Sequence, residues 1–128
     1  MSTLDQMDEL RDGFPGCRAL ALADMSSGIV LCVSERNKHP QERLDTLCAT
    51  ANELFNGAAA GKVFAALGKD QTNRPDQGMV MTPSETCIFL RSSADPMETL
   101  CAICDADVDI GKFAQSARQT FDKIATEE

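Results

Sequence analysis

The segment Arg18–Val33, RALALADMSSGIVLCV, limits the architecture of this chain more than any other. Two apolar runs, Arg18–Asp24 and Ile29–Ser34, flank Met25-Ser26-Ser27-Gly28, and Val/Ile/Leu-rich runs broken by a Ser-Ser-Gly cluster predict a β-hairpin. Gly28 has no Cβ and supplies the positive φ that a tight reversal often needs. In the first strand Ala19, Ala21 and Ala23 face one way, and Leu20 and Leu22 the other. In the second, Ile29, Leu31 and Val33 alternate with Val30 and Cys32. A sheet with one wet face alternates apolar and polar residues; here both faces of both strands are apolar, so the hairpin is expected to be covered on both sides.

The flanking sequence offers the cover. Ser2 or Thr3 caps a first helix to about Asp12, Thr3 and Gln6 having capping-box spacing. Leu4, Met7 and Leu10 form its apolar edge, and Gly13-Phe14-Pro15-Gly16 stops it. After the polar loop Glu35–His39, Pro40 stands at the first turn of a second helix, where its missing N–H costs nothing. Leu44, Leu47, Cys48, Ala51, Leu54, Phe55 and Ala58 recur on one face of it. Either Gly57 ends this helix, with Ala58–Leu67 forming a short extra helix before Gly68, or the helix continues through that stretch.

A polar loop, Lys69–Gln77 with Pro75, leads to three apolar runs: Gly78–Thr82, Thr86–Ser92 and Thr99–Asp105. Their links are too short for parallel crossovers, which predicts antiparallel neighbours. Ile88 and Leu90 oppose Cys87 and Phe89, and Leu100 and Ala102 oppose Cys101 and Ile103, so these strands also read as buried on both faces. From about Asp109 a last helix carries the stripe Ile110, Phe113, Ala114, Ala117, Phe121 and Ile124. The order α-β-β-α-β-β-β-α predicts an α+β fold, a five-stranded antiparallel sheet covered by helices on both faces. One domain over residues 1–128 is expected.

Charge and composition exclude several partners. The net charge is −8, and there is no Trp or Tyr. Phosphate backbones and anionic lipids are repelled, and rings on which bases stack are scarce, so neither nucleic acid nor membrane is expected as a partner. The stretch MSTLDQMDELRDG has neither a basic start nor an apolar run, so no secretory leader is read there and a cytoplasmic location is expected. Most of the six cysteines (17, 32, 48, 87, 101, 104) sit in apolar runs, as buried hydrophobes rather than a disulfide framework.

Each motif with chemical potential has a structural reading that fits better. Cys101-Ala102-Ile103-Cys104 is a CxxC inside a strand, where residues three apart face opposite ways and lie about 10 Å apart, beyond disulfide reach. No second such pair completes a zinc site. His39 reads as a solvated loop residue. Gly57–Lys62 lacks the spacing of a phosphate loop, with Val63 after the lysine. Asp105, Asp107 and Asp109 lack the rest of a calcium loop and read as helix-leading acids. Arg43, Arg91 and Arg118 are each candidates to contact a partner, with nothing to rank them. No catalytic, cofactor-binding or metal-binding residue is assigned, and no cofactor is expected.

Pro15-Gly16, the small-residue strand Ala19–Asp24 with its terminal Asp, the turn at Gly28, the hydrophobic strand to Val33 and the helix after it resemble the Roadblock (dynein light chain) family, of profilin-like fold. The three-strand second half and final helix extend the similarity over nearly the whole chain. The resemblance implies a non-enzymatic homodimer, with Gln41–Gly57 and Gly78–Thr82 lining the dimer contact. It also implies an adaptor or regulator that works with a small Ras-like GTPase, or a scaffold subunit of a larger complex. The alternative is a profilin-like domain that senses a small ligand, or a thiol-dependent enzyme using one of the cysteines.

Overall fold

Ser2 is the first cap. In the computed structural model, which describes residues 1–67 and 75–127, its Oγ accepts the Asp5 amide at 3.1 Å and opens helix α1, Thr3–Asp12. Gln6, Met7 and Leu10 are the buried face of α1, and Leu4 is exposed, so the apolar edge is rotated by part of a turn from the one expected. The hairpin follows as β1, Cys17–Asp24, and β2, Ile29–Glu35. Then come α2, Gln41–Asn56, and α3, Ala58–Ala66. Strands β3, Gln77–Met81, β4, Glu85–Arg91, and β5, Glu98–Asp105, precede α4, Ile110–Glu127. The short extra helix is thus the alternative realised after Gly57, and the expected order otherwise stands. Gly68 and most of the expected loop, residues 69–74, lie outside the described residues. Among the described residues no helix is long and apolar enough to cross a membrane.

All pairings are antiparallel, in the order β2-β1-β5-β4-β3. The central strand is therefore the last one in sequence. On one face, Leu20, Leu22, Ile88, Leu90, Leu100 and Ala102 pack against Met7 and Leu10 of α1 and Phe113, Ala117, Phe121 and Ile124 of α4. On the other, Ala19, Ala21, Ala23, Phe89 and Ile103 pack against Leu44, Leu47, Cys48, Ala51 and Phe55 of α2. Alanine along β1 is the cause of that close seat, because a methyl group leaves room for a helix carrying Leu and Phe. Asp109 caps α4, its Oδ1 accepting the Lys112 amide at 3.1 Å.

The expectation that both hairpin strands are covered on both faces holds for β1 and fails for β2. Ile29 and Leu31 are 57 % and 55 % exposed. Two causes act together. β2 is an edge strand with no strand on its outer side among the described residues, and its register slips so that Ala23 pairs with Val30 but Leu22 with Cys32. Leu31 is the extra residue of a β-bulge, which breaks the two-residue period. Val30 and Val33 consequently both join the α2 face, while Cys32 joins the other.

The hairpin turn is held by its own acid. Asp24 Oδ1 accepts the Ser26 amide at 2.9 Å and the Ser26 hydroxyl at 2.6 Å, and Gly28 turns the chain at φ 74°. The Ser26 hydroxyl first, then its amide, holds the Asp24 carboxyl below its ordinary value of 3.8. A lowered folded pKa contributes stability above the unfolded pKa that is lost as pH falls through the folded one. Between about pH 5 and about pH 2, Asp24→Ala is expected to lose less stability than the wild type, in urea melts at each pH. Parallel curves overturn this role for the turn.

Candidate self-association surface

Helix α2 lies over one face of the sheet, next to the edge strand β3, and arginines fasten it at both ends. At its N-terminal end Arg43 donates to Glu85 Oε1 at the start of β4, and Glu85 Oε2 also lies 3.6 Å from Arg18 Nη1. Arg18 is the bulged residue of β1, where the pairing with β5 shifts between Cys17 and Ala19. Its guanidinium donates to Asp105 Oδ1 at 2.6 Å and to the Ser84 carbonyl at 3.1 Å. One alternating set of charges thus joins α2, β1, β4 and β5.

At the C-terminal end Arg91 is buried under α2. Its Nη2 donates to the Phe55 carbonyl at 2.8 Å and its Cζ lies 4.8 Å from the Phe55 ring centroid. That carbonyl is at the negative end of the helix, where it lacks an intrahelical partner, so a guanidinium there satisfies both charge and hydrogen bond. Arg118 of α4 donates to the Arg91 carbonyl at 2.7 Å and the Asp76 carbonyl at 2.8 Å, which sets the start of β3. All three arginines left unranked by the sequence are therefore committed to holding the fold. No sequence signal separated Arg91 from a surface arginine.

Gly57 divides α2 from α3. A Cβ there would stand 2.4 Å from the Glu53 carbonyl oxygen, so only glycine fits the break as built. Leu54 and Phe55, in the last turn of α2, lie against Gly78 of β3. The outward face of α2 shows Gln41, Glu42, Asp45, Thr46, Ala49, Glu53 and Asn56 to solvent. Among the described residues strand β3 pairs only with β4, leaving its other edge open, and Met79, Val80 and Met81 are exposed. Such an edge presents a row of backbone donors and acceptors that another strand satisfies.

The remaining candidates disperse. Cys101 and Cys104 fall on opposite faces of β5, in separate cores. Burial pushes Cys101 up to about 12, and burial likewise raises Cys32, Cys48 and Cys87. Cys104 is raised by its hydrogen bond to Cys17, its register partner on β1, and by burial. A thiol raised by apolar surroundings is a poor nucleophile. Cys17 shifts the other way, lowered first by its hydrogen bond with Cys104, but it is fully buried. With iodoacetamide at neutral pH, each thiol of the native protein is expected to react at least about 10-fold slower than free cysteine, Cys17 for want of access and the others for want of thiolate, half-buried Cys32 first. One thiol faster than free cysteine would restore the thiol-enzyme reading. His39 lies in a loop, as read, but it is partly buried rather than freely solvated: its amide and Nδ1 meet Glu35 Oε2 at 2.7 and 3.0 Å. Gly61 and Lys62 lie inside α3 and form no phosphate loop. Asp105 bonds Arg18 and Asp109 caps α4; among the described residues no group of His, Cys, Asp and Glu is placed to hold a metal. A cleft of about 500 Å³ opens between α1 and α4, lined by Glu9, Phe14, Gln119 and Lys123 among others, on the face of the sheet away from α2.

Two layers of helix on a five-stranded antiparallel sheet, with one edge strand beside a fastened helix, define an α+β protein. Within that class the chain has the Roadblock/LC7 fold. A Roadblock/LC7 domain from Streptomyces avermitilis superposes with a TM-score of 0.74 at 18 % identity, over 99 % of this chain and 98 % of that one. The gliding protein MglB from Thermus thermophilus does so at 0.74 and 22 % identity, over 98 % and 90 % of the two chains. A structure of MglB with a tetrameric arrangement gives 0.76 at 21 % identity, over 97 % and 85 %. No family model matches the chain, and no curated protein matches it in sequence.

Proposed function

We propose that this chain is a non-enzymatic homodimeric adaptor that works with a small Ras-like GTPase or as a scaffold subunit of a larger complex. In this reading residues 1–128 are one Roadblock-like domain acting in the cytoplasm. The observation that carries it is the pairing of an open, uncharged strand edge with a helix fastened at both ends. Strand β3 has no charged residue to repel a second copy, and the two arginine anchors hold α2 in a fixed place beside it. The two-fold contact implied by the Roadblock resemblance, Gln41–Gly57 with Gly78–Thr82, takes in both. Self-association in the structural relatives supports it, since one MglB structure is described as tetrameric.

Size-exclusion chromatography with light scattering tests the first half. Twice the 13.8 kDa chain mass is expected at micromolar concentration, and a monomer there overturns the dimer. The second half is tested by titrating the protein into purified Ras-like GTPases loaded with GDP or a non-hydrolysable GTP analogue. Heat of binding to at least one nucleotide state is expected; binding to neither across the GTPases of the source cell removes the GTPase role.

A further inference from the structure

Among the described residues, helix α3 leaves an apolar side without cover. It reads AAAGKVFAA and packs chiefly on α2, while Val63 and the following Leu67 are 57 % and 66 % exposed. Ala58, Ala59, Ala65 and Ala66 are exposed as well. A nine-residue helix with a central glycine, and no buried stripe among its described side chains, is marginal in water. Tertiary packing normally stabilises such a helix, so its exposed apolar side calls for cover.

Charge indicates what covers it. The chain has 20 acidic residues, yet α3 has none and carries only Lys62, and β3 carries no charge at all. Both adjoin the last turn of α2: α3 follows it directly through Gly57, and Gly78 of β3 lies under Leu54. Two copies at −8 each repel, and α3 and β3 add apolar area to a contact beside α2 without adding to the acids, Glu42, Asp45 and Glu53, that α2 already brings to it. Interface cores are depleted of charge and enriched in methionine, and Met79 and Met81 fit that pattern. Hence we infer that α3 packs on a second copy of this chain, extending the contact made by α2 and β3 so that the α3 of each subunit covers apolar surface of the other. The inference rests on the homodimer reading above and adds to it a segment that continues past the end of α2.

The test compares three proteins by light scattering and sedimentation equilibrium: the wild type, Val63→Lys/Leu67→Lys, and Ile29→Lys/Leu31→Lys on the opposite sheet edge. The expected result is a wild-type dimer, a dissociation constant raised at least 10-fold by the α3 pair, and no change from the β2 pair. Val63→Asp/Leu67→Asp is expected to weaken the dimer as well, which separates loss of apolar cover from the sign of the added charge. Circular dichroism on each variant confirms that the cores, which neither pair touches, remain folded. A wild-type dimer whose α3 variants keep its dissociation constant overturns this inference and leaves the homodimer standing; a wild-type monomer overturns both. Equal weakening by the β2 pair overturns it too, because the contact would then not be local to α3. So would normal dimerisation of the α3 variants with loss of GTPase binding, which assigns the helix to a different partner.

Discussion

Arg91→Met is expected to lower the unfolding free energy by about 3 kcal/mol, the largest loss anticipated from any single charged side chain here. Methionine keeps most of the stem volume, so the loss isolates the guanidinium. Three contributions vanish together. The hydrogen bond to the Phe55 carbonyl leaves a buried acceptor at the end of α2, which alone costs roughly 1–3 kcal/mol. The guanidinium over the Phe55 ring contributes about 0.5–2 kcal/mol more in a desolvated setting. The positive charge at the negative end of α2 is also lost. Against these stands the relief of not burying a charge, since Arg91 is only 6 % exposed, which keeps the net below their sum. Urea unfolding gives the free energy, and a melting midpoint lower by roughly 10 °C is the matching thermal result. Arg91→Lys is expected to recover less than half, because an ammonium neither stacks on the ring nor presents a planar fork. A methionine variant as stable as the wild type would mean that the C-terminal end of α2 is held by its apolar face alone.

Arg91 also shows where reading from sequence stops. Alternation along Thr86–Ser92 and Thr99–Asp105 identified strands buried on both faces, because Ile, Leu, Phe and Cys at successive positions leave no wet side. Helical spacing likewise found the buried faces of α2 and α4, since both periods are properties of the local backbone. What decided the rest was remote. An arginine closing an apolar strand reads as a surface charge until the end of a helix 36 residues away arrives above it. The union of β1 with β5, across more than 70 residues, has no local signature, although it places the last strand at the centre of the sheet. The bulges at Arg18 and Leu31 shift the phase of two strands whose composition gives no sign of it, which is how Leu31 came to be exposed. Ala58 was assigned to the buried face of α2 because periodicity continues smoothly through Gly57. The close approach to the Glu53 carbonyl that breaks the helix there is a three-dimensional fact. The proposed contact was legible only through the family resemblance. An open strand edge is defined by what fails to pair with it, and pairing is global.

Ala49→Glu is expected to turn the dimer into a monomer. Ala49 stands on the outward face of α2, exposed, with Thr46 and Thr50 beside it and Asp45 and Glu53 four residues to either side. A small residue there lets two copies of the helix approach closely, whereas a glutamate adds bulk and a like charge where two acidic helices already meet. Like charges brought together at an interface cost several kcal/mol, which corresponds to a rise in dissociation constant of at least about 100-fold. The fold itself is not at stake, because Ala49 belongs to neither core and glutamate is a good helix former. Ala49→Gln separates the two effects: it has nearly the same volume without the charge, and a smaller rise of about 10-fold is expected from bulk alone. Gln119→Glu, on the exposed side of α4 and across the sheet from α2, adds the same charge and is expected to leave the mass in solution unchanged. Light scattering across a concentration series reads all three. If Ala49→Glu remains a dimer with the wild-type dissociation constant, the outward face of α2 is not where the copies meet.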